Sequence, residues 1–369
     1  MTGPLGVVVV DDSAVQRRFL RGAIEAAGEF GVVGEARNGS EAVALVERLR
    51  PAAVVMDLDL PVMGGVEAIE RIMARWATPI LVYSAFVGGS DSTNAMEALA
   101  AGAVDVLAKP GPDDPGTLAE CAEDLRRRLR VVVRIRVITH PRGRLRSTGA
   151  APAVAAVEGR RPLCPASAAG APSRAGARLV VIGASTGGPQ ALLTVLSALP
   201  ADLDQAVLVV QHMAEGFIPG LATWLDHLVP PRVVVGESGR RLLPGTVTIA
   251  PSGGNLLVQD DRLRVLCVPP EPGQFHVPGI DATMRSVADA LGPDAVGVLL
   301  TGMGRDGAAG LLAMRARGGL TLGQDEASSA VYGMPAAAAA LDALDRQLPL
   351  AEIGPALCEL LVPAAPAPR

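Results

Sequence analysis

Ser185 stands in Gly183-Ala184-Ser185-Thr186-Gly187-Gly188-Pro189, directly behind the apolar run Leu179 to Ile182 and ahead of a helical pattern. A strand, a glycine-rich turn and a helix start put this hydroxyl at a helix amino end, where the N–H groups of Thr186 and Gly187 can stabilise an oxyanion. Alone, the serine would read as a helix cap. A nucleophilic serine needs a base, and the chain has four histidines. His140 lies in a basic segment, His227 sits on an amphipathic helical stretch, and His276, in a loop before Val277-Pro278, remains open as a substrate contact. His212, in Gln211-His212-Met213, directly follows the strand ending at Val210 and is the expected base. Asp306, in Thr301-Gly302-Met303-Gly304-Arg305-Asp306-Gly307 behind the strand Val296 to Leu300, is the expected acid, with Asp281 as runner-up. His212 would take the Ser185 proton, Ser185 would attack an ester carbonyl, and Asp306 would hold the imidazole and stabilise its cation. The glycines around Met303 admit its N–H as a further oxyanion donor. A nucleotide loop is the rival for the glycine-rich turn, but neither the Gly-x-Gly-x-x-Gly spacing nor a lysine after the glycines is present.

A second group is acidic. Asp11 and Asp12 end a first apolar strand, Asp57 a third, Ser84 follows a fourth, and Lys109 with Pro110 follows a fifth. In the strand order 2-1-3-4-5 these ends converge on one crevice. Three carboxylates together need a cation, and hard oxygen donors suit Mg²⁺. Asp57 would accept a phosphoryl group, Asp11, Asp12 and Asp57 would carry the metal, and Ser84 and Lys109 would bind phosphoryl oxygens.

The elements that must position these residues alternate as short strands and helices. Val7 to Val10, Val32 to Ala36, Ala53 to Asp57, Ile80 to Tyr83 and Val104 to Leu107 form the strands of a parallel five-stranded, flavodoxin-like domain over residues 1–130. Residues 131–177 are rich in Arg, Pro and Ala without hydrophobic period, which reads as a linker. The run Arg126, Arg127, Arg128, Arg130, Arg134 and Arg136 just before it is expected to be a solvated helix face. Residues 178–369 follow a second pattern, a doubly wound, mostly parallel α/β domain. Its strands are Leu179 to Ile182, Ala206 to Val210, Val233 to Val235, Val247 to Ala250 and Val296 to Leu300, with an antiparallel hairpin of Asn255 to Val258 and Arg262 to Leu266.

Composition excludes several classes. A net charge of −5 over 369 residues argues against nucleic-acid binding. The scattered Cys121, Cys164, Cys267 and Cys358 lack metal-ligand spacing, no apolar run reaches the length a bilayer demands, and a cytoplasmic location with free thiols is expected. A transcription factor is disfavoured because the second half has no basic helix-turn-helix pattern. A receptor-docking protein without turnover is the remaining rival, and the Ser185, His212 and Asp306 set favours an enzyme.

The first 130 residues resemble the receiver domain of two-component response regulators through Val9-Val10-Asp11-Asp12-Ser13, Val54-Val55-Met56-Asp57-Leu58, Tyr83-Ser84-Ala85 and Ala108-Lys109-Pro110. That resemblance implies phosphorylation of Asp57 by a sensor histidine kinase. Met63-Gly64-Gly65 lacks the Asp common before the second Gly, and Val106 stands where an aromatic residue is frequent. The second half resembles the chemotaxis protein-glutamate methylesterases through Ile182-Gly-Ala-Ser185-Thr-Gly-Gly, Val210-Gln-His212-Met, Leu300-Thr-Gly-Met303-Gly-Arg-Asp306-Gly, Glu326-Ala-Ser-Ser and Tyr332-Gly-Met-Pro335. This implies hydrolysis of glutamate γ-methyl esters on methyl-accepting chemoreceptors with release of methanol, and deamidation of receptor glutamines as a second activity. It further implies that phosphorylation unmasks the Ser185 cleft, that the esterase step uses no cofactor, and that the chain meets the membrane only through its receptors. Phe275-His276-Val277-Pro278-Gly279-Ile280-Asp281 departs from the more frequent His-Arg-Pro-Ser-Val-Asp.

Overall fold

The computed structural model describes residues 3–85, 89–110, 118–135, 177–274 and 276–361. Most of the expected linker, together with Arg136, His140, Cys164 and Phe275, lies outside these residues. The chain divides into two compact units, Met1–Glu158 and Gly159–Arg369.

The first unit runs β1 (Leu5–Val10), α1 (Ala14–Glu25), β2 (Phe30–Ala36), α2 (Gly39–Leu49), β3 (Ala53–Met56), α3 (Gly65–Arg75), β4 (Ile80–Ser84), α4 (Gly89–Ala100), β5 (Asp105–Ala108) and α5 (Leu118–Val132). Every strand pairing is parallel, in the order β2-β1-β3-β4-β5. β3 and β4 are buried along their whole length, as strands covered by helices on both faces must be. Side-chain caps start α1 and α2 where the sequence turns polar. Ser13 accepts from the Gln16 N–H, and Asn38 from the Glu41 N–H at 2.9 Å. The basic face of α5 is largely neutralised within the unit: Arg126 pairs with Glu123, Arg127 with Asp124, Arg128 with Asp105 and Asp124, and Arg130 with Glu29. The helix carries on to Val132, past the residue where the linker was expected to begin.

The second unit runs β6 (Leu179–Ala184), α6 (Gly188–Leu196), β7 (Ala206–Gln211), α7 (Ile218–Asp226), β8 (Arg232–Val235), β9 (Thr246–Ile249), β10 (Asn255–Val258), β11 (Val265–Val268), α8 (Ile280–Leu291), β12 (Ala295–Leu299), α9 (Ala308–Ala316), β13 (Leu320–Gln324), α10 (Met334–Ala340), β14 (Arg346–Leu348) and α11 (Leu350–Leu361). Its parallel sheet has the order β14-β13-β12-β6-β7-β9-β8, with β10 and β11 as a separate antiparallel pair. The chain winds outward from β6 through β7, then returns to place β12 on the other side of β6. Crevices at such reversals are where parallel α/β sheets bind ligands.

Three details differ from the sequence expectation. β13 and β14 were not anticipated, because Gly323 and Gln324 interrupt the first and the second is only three residues long. The second hairpin strand is Val265–Val268, not Arg262 to Leu266. Asp260 Oδ1 accepts from the N–H groups of Arg262 and Arg264, and Leu263 takes φ 61°, so the turn uses up residues that the apolar pattern gave to the strand. β2 also begins at Phe30, two residues early, because Phe30 is itself buried.

Candidate active sites

In the first unit, β1 and β3 are neighbours, so Asp11 and Asp57 come together at the carboxyl end of the sheet. Oxygens of Asp11, Asp12 and Asp57 all lie within 4.8 Å of one another. Between the two buried carboxylates sits Lys109, its Nζ 2.8 Å from Asp11 Oδ2 and 2.6 Å from Asp57 Oδ2. The Lys109 N–H donates to Ser84 O at 2.8 Å, which fixes the β4 and β5 ends together; Ser84 is itself buried. Burial pushes the Asp57 carboxyl above its ordinary value, although hydrogen bonding and charge from Lys109 pull the other way. Burial would also lower Lys109, but its hydrogen bonds to Asp11 and Asp57 outweigh this and hold the ammonium above its ordinary value. Three hard oxygen donors this close fit a small divalent cation such as Mg²⁺.

Arg17 was not anticipated as part of this pocket. It is buried on the inner face of α1, donating from Nη1 to the carbonyls of Asp11 at 2.8 Å and Asp12 at 3.0 Å, and from Nε to Glu35. Its signal was the helical position one turn behind Ser13, facing the sheet. Lys109 carried another signal: of the chain's 33 Lys and Arg residues it is the only lysine. A guanidinium is a broad planar fork, whereas an ammonium is a compact charge that fits between two carboxylates.

At the start of α3, one glycine that the motif keeps and one departure from it have physical consequences. Gly65 is required, since a Cβ there would lie 2.2 Å from the Asp57 carbonyl oxygen. Gly64, where an Asp is common, leaves the start of α3 without a side-chain cap.

In the second unit, Ser185 and His212 are the first residues beyond adjoining strands. Ala184 pairs with Gln211, and the His212 N–H donates to Ala184 O at 2.9 Å. The ring of His212 places Nε2 2.8 Å from Asp306 Oδ2. That leaves Nδ1, buried and without a hydrogen-bond partner among the described residues, as the nitrogen to accept a proton.

Asp306 does more than hold the imidazole. Its carboxylate accepts from the N–H groups of Ile280 at 2.8 Å, Asp281 at 2.9 Å and Gly307 at 3.1 Å, and so caps α8 from outside that helix. Burial would raise the Asp306 carboxyl, but the hydrogen bond and charge of His212, with the backbone donors of Asp281 and Ile280, hold it below its ordinary value. Asp281, the alternative acid, has other partners. Its Oδ1 accepts from the Gly310 N–H at 2.6 Å and thereby caps α9, and burial pushes its carboxyl up. The two aspartates thus cap each other's helices.

His276 stacks on His212, with ring centroids 4.5 Å apart and planes at 10°. His227 ends α7 instead, accounting for it without chemistry. Thr186 and Gly187 precede α6, Gly187 at φ 77°, a conformation open mainly to glycine. Met303 lies in the loop between β12 and α9, half-buried, with Thr301 tying that loop to the Ser185 turn by donating to Thr186 O at 3.0 Å.

The unusual loop also has a physical account. Gly279 donates its N–H to Asn255 Oδ1 at 2.7 Å, and a Cβ at 279 would lie 2.5 Å from Gln274 Nε2. Gln274 exchanges two hydrogen bonds with Asn255 and donates to the His276 carbonyl at 2.6 Å. Where the more frequent motif has Ser, this chain fills the space from Gln274.

These geometries can be set beside known proteins. The sequence model of the CheB methylesterase family matches residues 180–357, and that of the response regulator receiver domain matches residues 7–120. A protein-glutamate methylesterase/protein-glutamine glutaminase of Paramagnetospirillum magneticum is 44% identical over 359 residues, covering 97% of this chain and 96% of its own. The chain belongs to this methylesterase family. A second family member, from Anaeromyxobacter dehalogenans, is 42% identical over 358 residues and covers 97% of both chains. Among solved structures, the CheB methylesterase catalytic domain of Thermotoga maritima is 33% identical, with a TM-score of 0.48 covering 50% of this chain and 98% of its own. Membership makes the second unit a hydrolase domain of that family and the first its receiver. Among the described residues no helix is long and apolar enough to cross a membrane.

Proposed function

We propose that this chain hydrolyses glutamate γ-methyl esters on chemoreceptors and deamidates receptor glutamines, at a rate raised by phosphorylation of Asp57. The observation that carries the reading is the 2.8 Å contact between His212 and Asp306, beside Ser185 at the centre of the sheet. Because Asp306 engages Nε2, the Ser185 hydroxyl proton passes to His212 Nδ1 as Oγ attacks the ester carbonyl. The N–H groups of Thr186, Gly187 and Met303 are the candidate donors to the oxyanion. His212 returns the proton to the departing methoxide, releasing methanol, and water then cleaves the acyl-enzyme by the same base. With a glutamine side chain the leaving group is ammonia. Asp306 stays ionised throughout, which its backbone donors favour. Side chains and backbone suffice for the ester step without a cofactor.

In the receiver, Asp11, Asp12 and Asp57 would hold Mg²⁺, which when bound offsets carboxylate charge and polarises the incoming phosphoryl group. Asp57 is the nucleophile, with Lys109 and Ser84 as partners of the phosphoryl oxygens. The phosphodonor partner is a sensor histidine kinase, the substrate a methyl-accepting chemoreceptor, and the site of action the cytoplasm. The test is methanol release from membranes carrying methylated chemoreceptor, with and without a small-molecule phosphodonor and Mg²⁺. The rate rises with phosphodonor in the native protein and stays at its basal value in Asp57→Ala; a native rate that ignores the phosphodonor counts against receiver control.

A further inference from the structure

Gln211 ends β7 and is 1% exposed, an amide in an otherwise apolar strand. Its Nε2 donates one hydrogen to Ser185 O at 2.9 Å and the other to His212 O at 2.8 Å. The β6–β7 ladder ends just below, so this side chain continues the strand pairing one step further, at the two residues that carry the chemistry. Ser185 O also accepts from the Gly188 N–H at 2.7 Å. Both lone pairs of that carbonyl are then in use, and the Ser185–Thr186 peptide cannot turn without losing two hydrogen bonds. In a planar trans peptide the N–H points opposite to the C=O, so a fixed Ser185 carbonyl also fixes the direction of the Thr186 N–H.

The other end of the amide is unusual. Gln211 Oε1 is buried with no hydrogen-bond partner among the described residues, and a Cβ at Gly188 would lie 2.0 Å from it. A buried acceptor without a donor is unfavourable. Turning the amide over would be worse, since its oxygen would then face two carbonyl oxygens. Gly188 supplies the room that this orientation needs.

We propose that Gln211 is a positioning residue, which locks the backbones of Ser185 and His212 to each other and sets the peptide plane beside the nucleophile. The role rests on the serine-esterase reading above. In the full chain, Gln211→Met keeps the side-chain volume and removes both donors. It lowers kcat for methanol release from methylated chemoreceptor membranes by about a hundredfold, as loss of one oxyanion donor does, and leaves KM within about twofold. Labelling of Ser185 by a fluorophosphonate slows in parallel. Gly188→Ala alone also lowers kcat, but costs much less in a Gln211→Ala background, because the two closest approaches, 2.0 and 2.9 Å, are to that amide and only the 3.0 Å approach to Ala184 Cβ stays. If Gln211→Met does not unfold cooperatively, the Gly188 pair decides.

The role is overturned if Gln211→Met keeps kcat within about twofold of the parent, or if Gly188→Ala costs as much without Gln211 as with it. Ser185→Ala separates this from the reading beneath. An inactive Ser185→Ala beside an unaffected Gln211→Met overturns the positioning role alone, whereas methanol release by Ser185→Ala overturns both.

Discussion

The two candidate sites share a plan and differ in how they treat their buried aspartate. Each lies where the strand order of a parallel sheet reverses, β1 against β3 in the first unit and β12 against β6 in the second. Asp57 receives one backbone N–H and the Lys109 ammonium, and burial still leaves its carboxyl raised. Asp306 receives three backbone N–H groups and the His212 ring, and its carboxyl is lowered. The contrast suits the two proposed tasks. A carboxylate that must attack phosphorus is better left poorly solvated, while one that must stay ionised beside an imidazolium is better held by many donors.

The sharpest way to break this comparison is Asp306→Asn. Loss of the orienting charge should lower kcat for methanol release by about 10⁴. The same pair of aspartates makes opposite stability predictions. A lowered folded value means that Asp306 stabilises above the ordinary carboxylate range, about pH 4, and that this is lost as pH falls through the folded value. Asp306→Asn therefore destabilises at neutral pH, with the difference shrinking in acid. The raised value of Asp57 reverses the sign: its contribution is full below about pH 4 and is lost as pH rises through the folded value. In Mg²⁺-free buffer Asp57→Asn should stabilise the protein at neutral pH. Denaturant unfolding of both variants across pH reads the two signs, and equal signs would end the contrast.

A smaller effect sharpens the receiver side. Lys109→Arg should remove most of the phosphodonor stimulation while basal methanol release persists, because a planar guanidinium does not fit the space shared by Asp11 and Asp57. Stimulation that survives would show that any cation there suffices. Smallest of all is Gly64→Asp. Supplying the missing cap of α3 should raise stability by a few tenths of a kcal/mol, measured as a shifted denaturant midpoint with unchanged slope.

Much of both sites was legible because each candidate residue lies at, or within a short loop after, the carboxyl end of an apolar strand. Ser185, His212, Asp306, Asp11, Asp57 and Lys109 all carry that local mark, and the fold brings them together in two groups. What was hidden depends on contacts between distant segments. Nothing near Asp306 announces that it caps a helix starting at Ile280, nor does the neighbourhood of Asp281 announce its bond to Gly310. The second hairpin strand begins later than the apolar pattern suggests, because a turn held by Asp260 takes up Arg262 and Arg264. Gln211 looked like one polar residue at a strand end, and only the carbonyls of Ser185 and His212 reveal what it holds. The choice of nitrogen on His212 was equally beyond reach, since it follows from where Asp306 lies across the sheet.

The central claim, that Ser185 is the nucleophile of an ester hydrolase, is tested most directly by methanol release from methylated chemoreceptor with Ser185→Ala in the full chain. The account predicts a fall in kcat of about 10⁴ or more with cooperative unfolding retained. Turnover near the parental rate by a folded Ser185→Ala protein would contradict it.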